Sequence, residues 1–94
     1  MEYEKVIYRV HAIQRMFERN ITEEDVSMAL KTGETVEIYP DDFPYPSQLI
    51  MAWVNGKPLH VVVAYNETEH MSIIITVYQP DPDLWESGFR RRKE

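Results

Sequence analysis

The chain has 94 residues, sixteen of them acidic and ten basic, so its formal net charge is −6. This length allows one small domain, and 44% apolar residues supply a core, which excludes intrinsic disorder. No apolar run reaches the roughly 20 residues of a membrane span, and the absence of cysteine excludes disulfides, thiolate catalysis and cysteine-ligated zinc. We expect one cytoplasmic domain over residues 1–94, and the acidic balance argues against strong non-specific binding of nucleic acid.

Residues 11–20 have the periodicity of an amphipathic helix. When successive residues are placed about 100° apart, Val10, Ile13, Met16 and Phe17 form one apolar stripe. This stripe is expected to pack against the sheet. The opposite face is polar and carries His11, Gln14, Arg15, Glu18 and Arg19.

A second helix is predicted over residues 23–31. Thr22 is a good N-cap residue, and Asp25 stands three positions later, as in a capping box. Gly33 occupies the position where a left-handed C-terminal cap is expected.

Four strands are predicted after the helices. They cover Thr35–Tyr39, Gln48–Val54, Lys57–Tyr65 and Met71–Tyr78. Asn55-Gly56 is the strongest hairpin signal, because a type I′ turn needs positive φ at both positions. A further strand over Lys5–Arg9 is indicated only weakly. The predicted fold class is α+β, with two N-terminal helices packed on an antiparallel meander of about four strands.

The hairpin turn fixes the register of the sheet. A two-residue turn places Met51 opposite His60, and closure of the next hairpin places His60 near Thr76 and diagonal to Tyr78. One face is then aliphatic and is expected to lie under the helices: Ile50, Ala52, Val54, Leu59, Val61, Val63, Ile73, Ile75 and Val77.

The other face is mixed in chemistry. It carries Leu49, Met51, Trp53, His60, Val62, Ser72, Ile74, Thr76 and Tyr78. Two interpretations are open. The face is a ligand groove or partner interface, or the C-terminal segment covers it with Trp85 and Phe89.

One candidate site is a row along the first helix. His11, Arg15 and Arg19 are spaced i, i+4, i+8, and this combination suits phosphate binding with proton transfer. The alternative is a solvated face on which Arg15 pairs with Glu18.

The second candidate site lies on the mixed sheet face. His60 and Tyr78 could act as general acid and base in RNA cleavage, while Trp53 and Thr76 contact the substrate and the aromatic rings stack on a base. The alternative is a half-buried histidine that hydrogen-bonds to Thr76 or to a backbone carbonyl. The three histidines have no metal-ligand spacing, so no metal site is predicted. If the helices pack on the aliphatic face, the two candidate sites lie on opposite sides of the sheet.

The stretch HAIQRMFERNITEEDV, residues 11–26, resembles the HAxxRMxxRxIxxxDV signature of the domain of unknown function 4258 family. Further matches run through most of the chain: Tyr39-Pro40, Gly56-Lys57-Pro58-Leu59-His60-Val61-Val62, Ile75-Thr76-Val77-Tyr78-Gln79-Pro80 and Trp85. This family is similar to small toxins of the RelE and BrnT type, with a compact RelE-like or barnase-like ribonuclease fold.

The resemblance implies metal-independent cleavage of mRNA without a cofactor, with mRNA or the ribosome as target and an antitoxin protein as partner. On that basis His60 or His11 is the general acid or base, Arg15 and Arg19 hold the phosphate, and Tyr78 stacks or donates a proton. The net charge of −6 counts against a nuclease. The alternative is a non-catalytic module that binds a protein or forms a homodimer through Trp53, Met51 and Tyr78. A nucleotide pocket lined by Trp53, His60 and Tyr78 is a third, weaker interpretation.

Overall fold

The protein folds as two helices on a five-stranded mixed sheet, and a computed structural model describes residues 5–94. In chain order the elements are β1 (Lys5–Tyr8), α1 (Val10–Arg19), α2 (Glu23–Thr32), β2 (Glu34–Tyr39), β3 (Ser47–Val54), β4 (Lys57–Asn66) and β5 (Met71–Tyr78). The strand order is β1-β5-β4-β3-β2.

The predicted α+β class is confirmed, but the wholly antiparallel meander of about four strands is not. The strand that was only weakly indicated forms as β1 and pairs in parallel with β5, whereas β2 to β5 pair antiparallel. A parallel pair needs a long crossover connection, which the intervening helices and strands supply.

The face that α1 buries differs from the predicted stripe. Ala12 and Met16 are buried, but Val10, Ile13 and Phe17 are 68%, 54% and 86% exposed. α1 packs against β5. The small side chain of Ala12 lets the helix backbone approach the sheet, and the larger apolar residues point roughly 100° or more away around the helix axis. The prediction of a core-facing stripe was therefore wrong for three of its four residues.

α2 begins at the predicted capping box. The Thr22 hydroxyl accepts a hydrogen bond from the Asp25 backbone N–H at 3.1 Å, and the Asp25 carboxylate accepts one from the Thr22 N–H at 3.0 Å. Neither α1 nor α2, the helices of residues 5–94, is long and apolar enough to cross a membrane. The buried side of α2 packs against β3 and β4, so the two helices cover neighbouring parts of one sheet face.

Gly33 ends α2, but not in the predicted left-handed conformation, because its φ is −79°. Gly33 is needed because the backbone of α2 lies very close to β3 at this point. A Cβ at this position would lie 2.5 Å from the Ala29 carbonyl oxygen and 2.5 Å from Cγ2 of Ile50. The absent side chain thus allows the end of α2 to touch β3. The left-handed cap belongs instead to Asn20 at the end of α1, with φ of 56°.

The hairpin between β3 and β4 is as predicted. Asn55 and Gly56 have φ of 53° and 78°, and Met51 lies opposite His60. The register of the next hairpin differs by two residues at His60. The loop pairs Asn66 with Met71, one residue from the predicted register, and a bulge between Val62 and Val63 adds another. Tyr78 therefore lies opposite His60.

The bulge also changes which β5 residues face the helices. Val62 pairs with Thr76 and Val63 with Ile74, so Ile75 is the extra residue. Ile74 is fully buried in the core beneath the helices, where Ile73 and Ile75 were expected. A single inserted residue reverses the alternation of side chains along a strand.

We expect Gly56→Val to lower the free energy of unfolding by more than about 1 kcal/mol, measured by urea denaturation. No atom lies within 4 Å of a Cβ at this position, so the cost comes from forcing a β-branched residue to positive φ. Lys57→Val, one residue along in β4, is the control and should change stability by less than about 0.5 kcal/mol. Equal effects would contradict the turn conformation.

Gly33→Ala should be more destabilising than Gly88→Ala, with a loss of about 2–3 kcal/mol. The added methyl group at Gly33 meets two backbone oxygens, of Ala29 and Met51, which cannot move without shifting α2 or β3. At Gly88 the cost is only conformational, because φ is +89° and no atom lies within 4 Å. Thermal or urea unfolding of both variants measures the difference, and a smaller loss at Gly33 would contradict the close approach.

Candidate functional site on the second face of the sheet

The C-terminal segment covers the face of the sheet opposite the helices. Trp85 is 3% exposed, and its ring centroid lies 4.5 Å from that of His60 in an edge-to-face arrangement. Phe89 contacts Trp53 at 5.9 Å between ring centroids, and Trp53 stays 57% exposed at the rim. Of the two interpretations of this face, coverage by the C-terminal segment therefore fits the structure better than an open groove.

His60 is fully buried, and both of its ring nitrogens have partners. Nε2 lies 2.8 Å from the Phe89 carbonyl oxygen, and Nδ1 lies 3.2 Å from the Tyr78 hydroxyl. A carbonyl oxygen only accepts hydrogen bonds, so we assign the proton to Nε2. In the neutral ring, Nδ1 then accepts the proton of the Tyr78 hydroxyl. The predicted partner Thr76 is not used, because the bulge places it opposite Val62.

The surroundings favour the neutral forms of this pair. Burial lowers the pKa of His60, although the hydrogen bond to Phe89 acts in the opposite direction. Burial also raises the pKa of Tyr78 above its ordinary value of 10.0. Near neutral pH the pair therefore consists of an uncharged imidazole and an intact phenol.

Two residues of β2 lie on the same sheet face. Glu37 pairs with Leu49 and Tyr39 with Ser47 of β3. The Tyr39 hydroxyl donates a short hydrogen bond to the Glu37 carboxylate. Burial, followed by this hydrogen bond, raises the pKa of Tyr39 to about 12. Tyr39 therefore stays protonated near neutral pH and continues to donate this hydrogen bond to the Glu37 carboxylate.

Arg92 brings a positive charge to this face from the C-terminal segment. Its guanidinium lies over the Trp85 ring, 4.9 Å from the centroid. Its charge lowers the pKa values of both His60 and Tyr78, whereas the Glu37 carboxylate raises both. Trp85 in turn packs on His60, so its ring links the guanidinium to the pair.

We call Glu37, Tyr39, His60, Tyr78 and Arg92 the sheet-face cluster. Arg92 is exposed, three members are half-buried and His60 lies beneath them, so solvent reaches the cluster at its rim. It contains a carboxylate, a guanidinium, an imidazole and two phenols, which suits proton transfer beside a bound anion. Across residues 5–94, no three histidine or acidic side chains are arranged to hold a metal ion.

Sequence reasoning found His60 and Tyr78 but missed the other members. Glu37 and Tyr39 are two residues apart on one strand, so their spacing placed them on one face, but not on which face. Arg92 was missed because no local pattern indicates that the C-terminal segment folds back onto Trp85.

The predicted helix row is not part of this cluster. His11, Arg15 and Arg19 are exposed on α1, which packs on the opposite face of the sheet. Arg15 forms an exposed ion pair with Glu18 at 3.5 Å, as its alternative interpretation expected. Arg19 donates a hydrogen bond of 3.5 Å to the Val77 carbonyl oxygen. The structure thus separates the two predicted sites.

Arg19 also lines a cleft of about 220 Å³ between the helix junction and the β3–β4 turn. Lys57, Asn55 and Gln79 contribute further polar groups. The carboxylate of Asp25, also in the lining, accepts a hydrogen bond of 3.2 Å from Asn55. This carboxylate offsets part of the positive charge that Arg19 and Lys57 bring to the cleft.

The His60 environment predicts a pH-dependent stability. Unfolded His60 binds a proton as pH falls below about 6.5, whereas burial keeps the folded ring neutral to a lower pH. The free energy of unfolding should therefore fall between pH 7.5 and 5, by at most about 1.4 kcal/mol per pH unit from this group. Urea denaturation should show a smaller pH dependence in His60→Gln, and an unchanged one in the control His11→Gln. Equal pH dependence in His60→Gln and wild type would contradict the assignment.

Comparison with known proteins identifies a family for this chain. A family model described as a domain of unknown function, DUF4258, matches residues 8–79. The match begins at the last residue of β1 and includes both helices and all of β2 to β5. No curated protein and no solved structure matches the chain significantly. Since the family match covers well over half of the sequence, the chain belongs to the DUF4258 family of domains of unknown function.

Proposed function

We propose that this protein is a metal-independent endoribonuclease of the toxin–antitoxin type and that the sheet-face cluster is its active site. One observation carries the proposal: the tyrosine–histidine pair lies on the sheet face that also carries Glu37 of β2, and next to the Trp85 ring on which the Arg92 guanidinium lies. Cleavage of RNA through its own 2′-hydroxyl needs a base, an acid and a group that stabilises the anionic phosphorane. The cluster offers one residue type for each task.

In this proposal the Glu37 carboxylate takes the proton of the 2′-hydroxyl as the 2′-oxygen attacks phosphorus. The bond from phosphorus to the 5′-oxygen breaks, and the Tyr78 hydroxyl gives its proton to the leaving oxygen. Arg92 stabilises the negative charge on the phosphoryl oxygens. The products are a 2′,3′-cyclic phosphate and a 5′-hydroxyl, and solvent returns the proton from Glu37 to Tyr78. His60 orients Tyr78 through its Nδ1 atom and is a positioning residue.

Substrate access is proposed from the exposed rim of the cluster. Trp53 presents an open aromatic face on which a base could stack. Thr76 lies two residues before Tyr78 on β5, so it can contact the same strand of RNA. The mRNA, free or on the ribosome, is the proposed substrate, an antitoxin is the proposed inhibitor, and the cytoplasm is the proposed location.

The net charge of −6 does not prevent RNA binding in this proposal, because the acidic and basic side chains are not evenly distributed. Four consecutive cations, Arg90 to Lys93, lie in the segment that folds over the cluster, and Arg92 contacts Trp85 within it. Arg90 is paired with the Glu34 carboxylate, whereas Arg92 contributes positive charge beside the Trp85 ring, where RNA would approach. The proposed fold type is RelE-like or barnase-like. The non-catalytic alternative assigned Met51 to a partner interface. Met51 is only 3% exposed and packs within the chain, so it cannot contribute to such an interface.

The proposal is tested by RNA cleavage in EDTA, with end mapping, on naked RNA and on translating ribosomes. Glu37→Gln and Tyr78→Phe should each lower the cleavage rate by about 100-fold or more, because each removes one proton-transfer group. The matched controls Glu69→Gln and Tyr65→Phe make the same chemical changes outside the cluster and should keep wild-type activity. Thermal unfolding of each variant separates loss of activity from loss of fold.

His11→Ala and Arg15→Ala should also remain active. If either abolishes cleavage while Tyr78→Phe does not, the helix row is the active site and the sheet-face cluster is not. If folded wild-type protein cleaves neither naked RNA nor RNA on ribosomes, the proposed activity is wrong. Ends other than a 2′,3′-cyclic phosphate and a 5′-hydroxyl would contradict the mechanism.

A further inference from the structure

The cleft between the helix junction and the β3–β4 turn has no part in the proposed nuclease site. Its volume is about 220 Å³. Polar side chains reach it from the helices and from the sheet: Arg19, Asn20, Asp25, Asn55, Lys57 and Gln79. These residues are far apart in the sequence, so the fold assembles the cleft and no single segment forms it. We call it the junction cleft.

Two cationic side chains of the junction cleft have no carboxylate partner. Among residues 5–94, neither Arg19 nor Lys57 forms an ion pair, whereas Arg15, one turn earlier on α1, pairs with Glu18. Arg19 donates one hydrogen bond of 3.5 Å, from Nη1 to the Val77 carbonyl oxygen. Its other guanidinium nitrogens remain available, and a guanidinium can bind a phosphate through two of them at once.

Asp25 brings a carboxylate to the cleft, but both of its oxygens already accept hydrogen bonds within the fold. Oδ2 accepts one of 3.0 Å from the Thr22 backbone N–H, and Oδ1 accepts one of 3.2 Å from the Asn55 side-chain amide. Two cations and one carboxylate therefore give the described lining a net positive charge, in a chain whose own net charge is −6. An anionic group is the ligand that this charge attracts.

The floor of the junction cleft is apolar. Ile21, Val54 and Leu59 line it, and they belong to the core beneath the helices, with exposed fractions of 7%, 8% and 4%. The side-chain amides of Asn55 and Gln79 stand at the exposed rim. An apolar surface with a few convergent polar groups is typical of a small-molecule site.

This combination of groups selects a nucleotide among anionic ligands. A simple anion would use the two cations and leave the apolar floor in contact with water. A nucleotide has a phosphate for Arg19 and Lys57, and a base whose flat faces are apolar. Asparagine and glutamine amides pair well with the hydrogen-bonding edge of a base, of adenine above all.

We propose that the junction cleft binds a nucleotide, with its phosphate held by Arg19 and Lys57 and its base over the apolar floor. The cleft lies on the helix side of the sheet, and Gln79 directly follows Tyr78, so it is at the same end of the sheet as the sheet-face cluster. The nucleotide is either free or one unit of an RNA strand. This inference goes beyond the proposed nuclease activity and does not depend on it.

The test is a titration of the full-length, isotope-labelled protein with adenosine 5′-monophosphate (AMP), followed by NMR. The backbone amide signals of Asn20, Asn55 and Gln79 should move most, with a Kd of about 1 mM or below. Adenosine and inorganic phosphate each supply only part of the ligand. Each should bind about tenfold or more weakly than AMP.

Arg19→Gln and Lys57→Gln should each weaken AMP binding about fivefold or more, because each removes one charge from the phosphate contact. Arg15→Gln and Lys31→Gln are the matched controls. They make the same chemical changes on the helices, outside the cleft lining, and should bind AMP like wild type. All four side chains are exposed, so the four variants should keep the wild-type unfolding temperature.

Four results would overturn the proposal. They are no signal change up to about 10 mM AMP, AMP binding that neither Arg19→Gln nor Lys57→Gln weakens, the largest signal changes at His60 and Tyr78, and adenosine or inorganic phosphate binding as tightly as AMP. The third result would assign AMP to the sheet-face cluster. The fourth would reduce the junction cleft to an apolar site or a simple anion site.

A second titration identifies the source of the nucleotide. A 2′-O-methyl oligonucleotide lacks the 2′-hydroxyl that the proposed cleavage needs, so it stays intact in the presence of an active nuclease. If RNA is the source, this strand should bind about tenfold or more tightly than AMP, and Arg19→Gln should weaken it. If free nucleotides are the ligands, it should bind no more tightly than AMP. Both results support a nucleotide site, and neither requires cleavage, so failure of the nuclease proposal is measured separately.

Discussion

The hydrogen bonds of His60 are the interaction on which the second face of the molecule depends. A fully buried imidazole needs partners for both nitrogens, since leaving one unpaired costs about 1–3 kcal/mol. One partner is a side chain of β5, and the other is a carbonyl of the C-terminal segment. The ring thus ties two strands to the segment that covers them. Trp85 packs on that ring, and Arg92 packs on Trp85, so the position of the positive charge follows from the burial of one histidine.

A second constraint is the bulge in β5, which aligns Tyr78 with His60. Without the extra residue Ile75, the pairing would continue with the opposite alternation and Tyr78 would not lie directly across from His60. The capping box of α2 and the Asn55-Gly56 turn are predictable, because each depends on residues within a few positions of one another. The bulge is not, because it depends on how two long strands pack against the helices. For the same reason, the residues that α1 buries follow from a close approach at Ala12 and not from hydrophobicity.

The residues of the candidate site also fall into two groups, those that local sequence patterns predict and those that depend on long-range contacts. His60 and Tyr78 could be paired approximately, because a defined turn sets the first register and a short loop leads into the second. Glu37 depends on the pairing of β2 with β3 across a proline-containing loop, and Arg92 depends on a contact between the C-terminal segment and the sheet. Neither leaves a local pattern in the sequence. The helix row His11, Arg15 and Arg19 has such a pattern, yet the fold places it on the other side of the sheet.

Net charge alone describes this chain incompletely, because its charges are segregated along the sequence. The cations lie mainly in two segments, residues 5–19 and residues 90–93, and most of the carboxylates lie elsewhere. Within about 10 Å of a surface, the local charge decides which ligand is attracted, since salt screens more distant charges. In the first segment, Arg15 and Arg19 lie on the side of α1 away from its exposed apolar residues. In the second segment, Arg92 lies over the Trp85 ring, which packs on His60. A chain with a net charge of −6 can therefore carry local positive charge in two separate places, one on each side of its sheet.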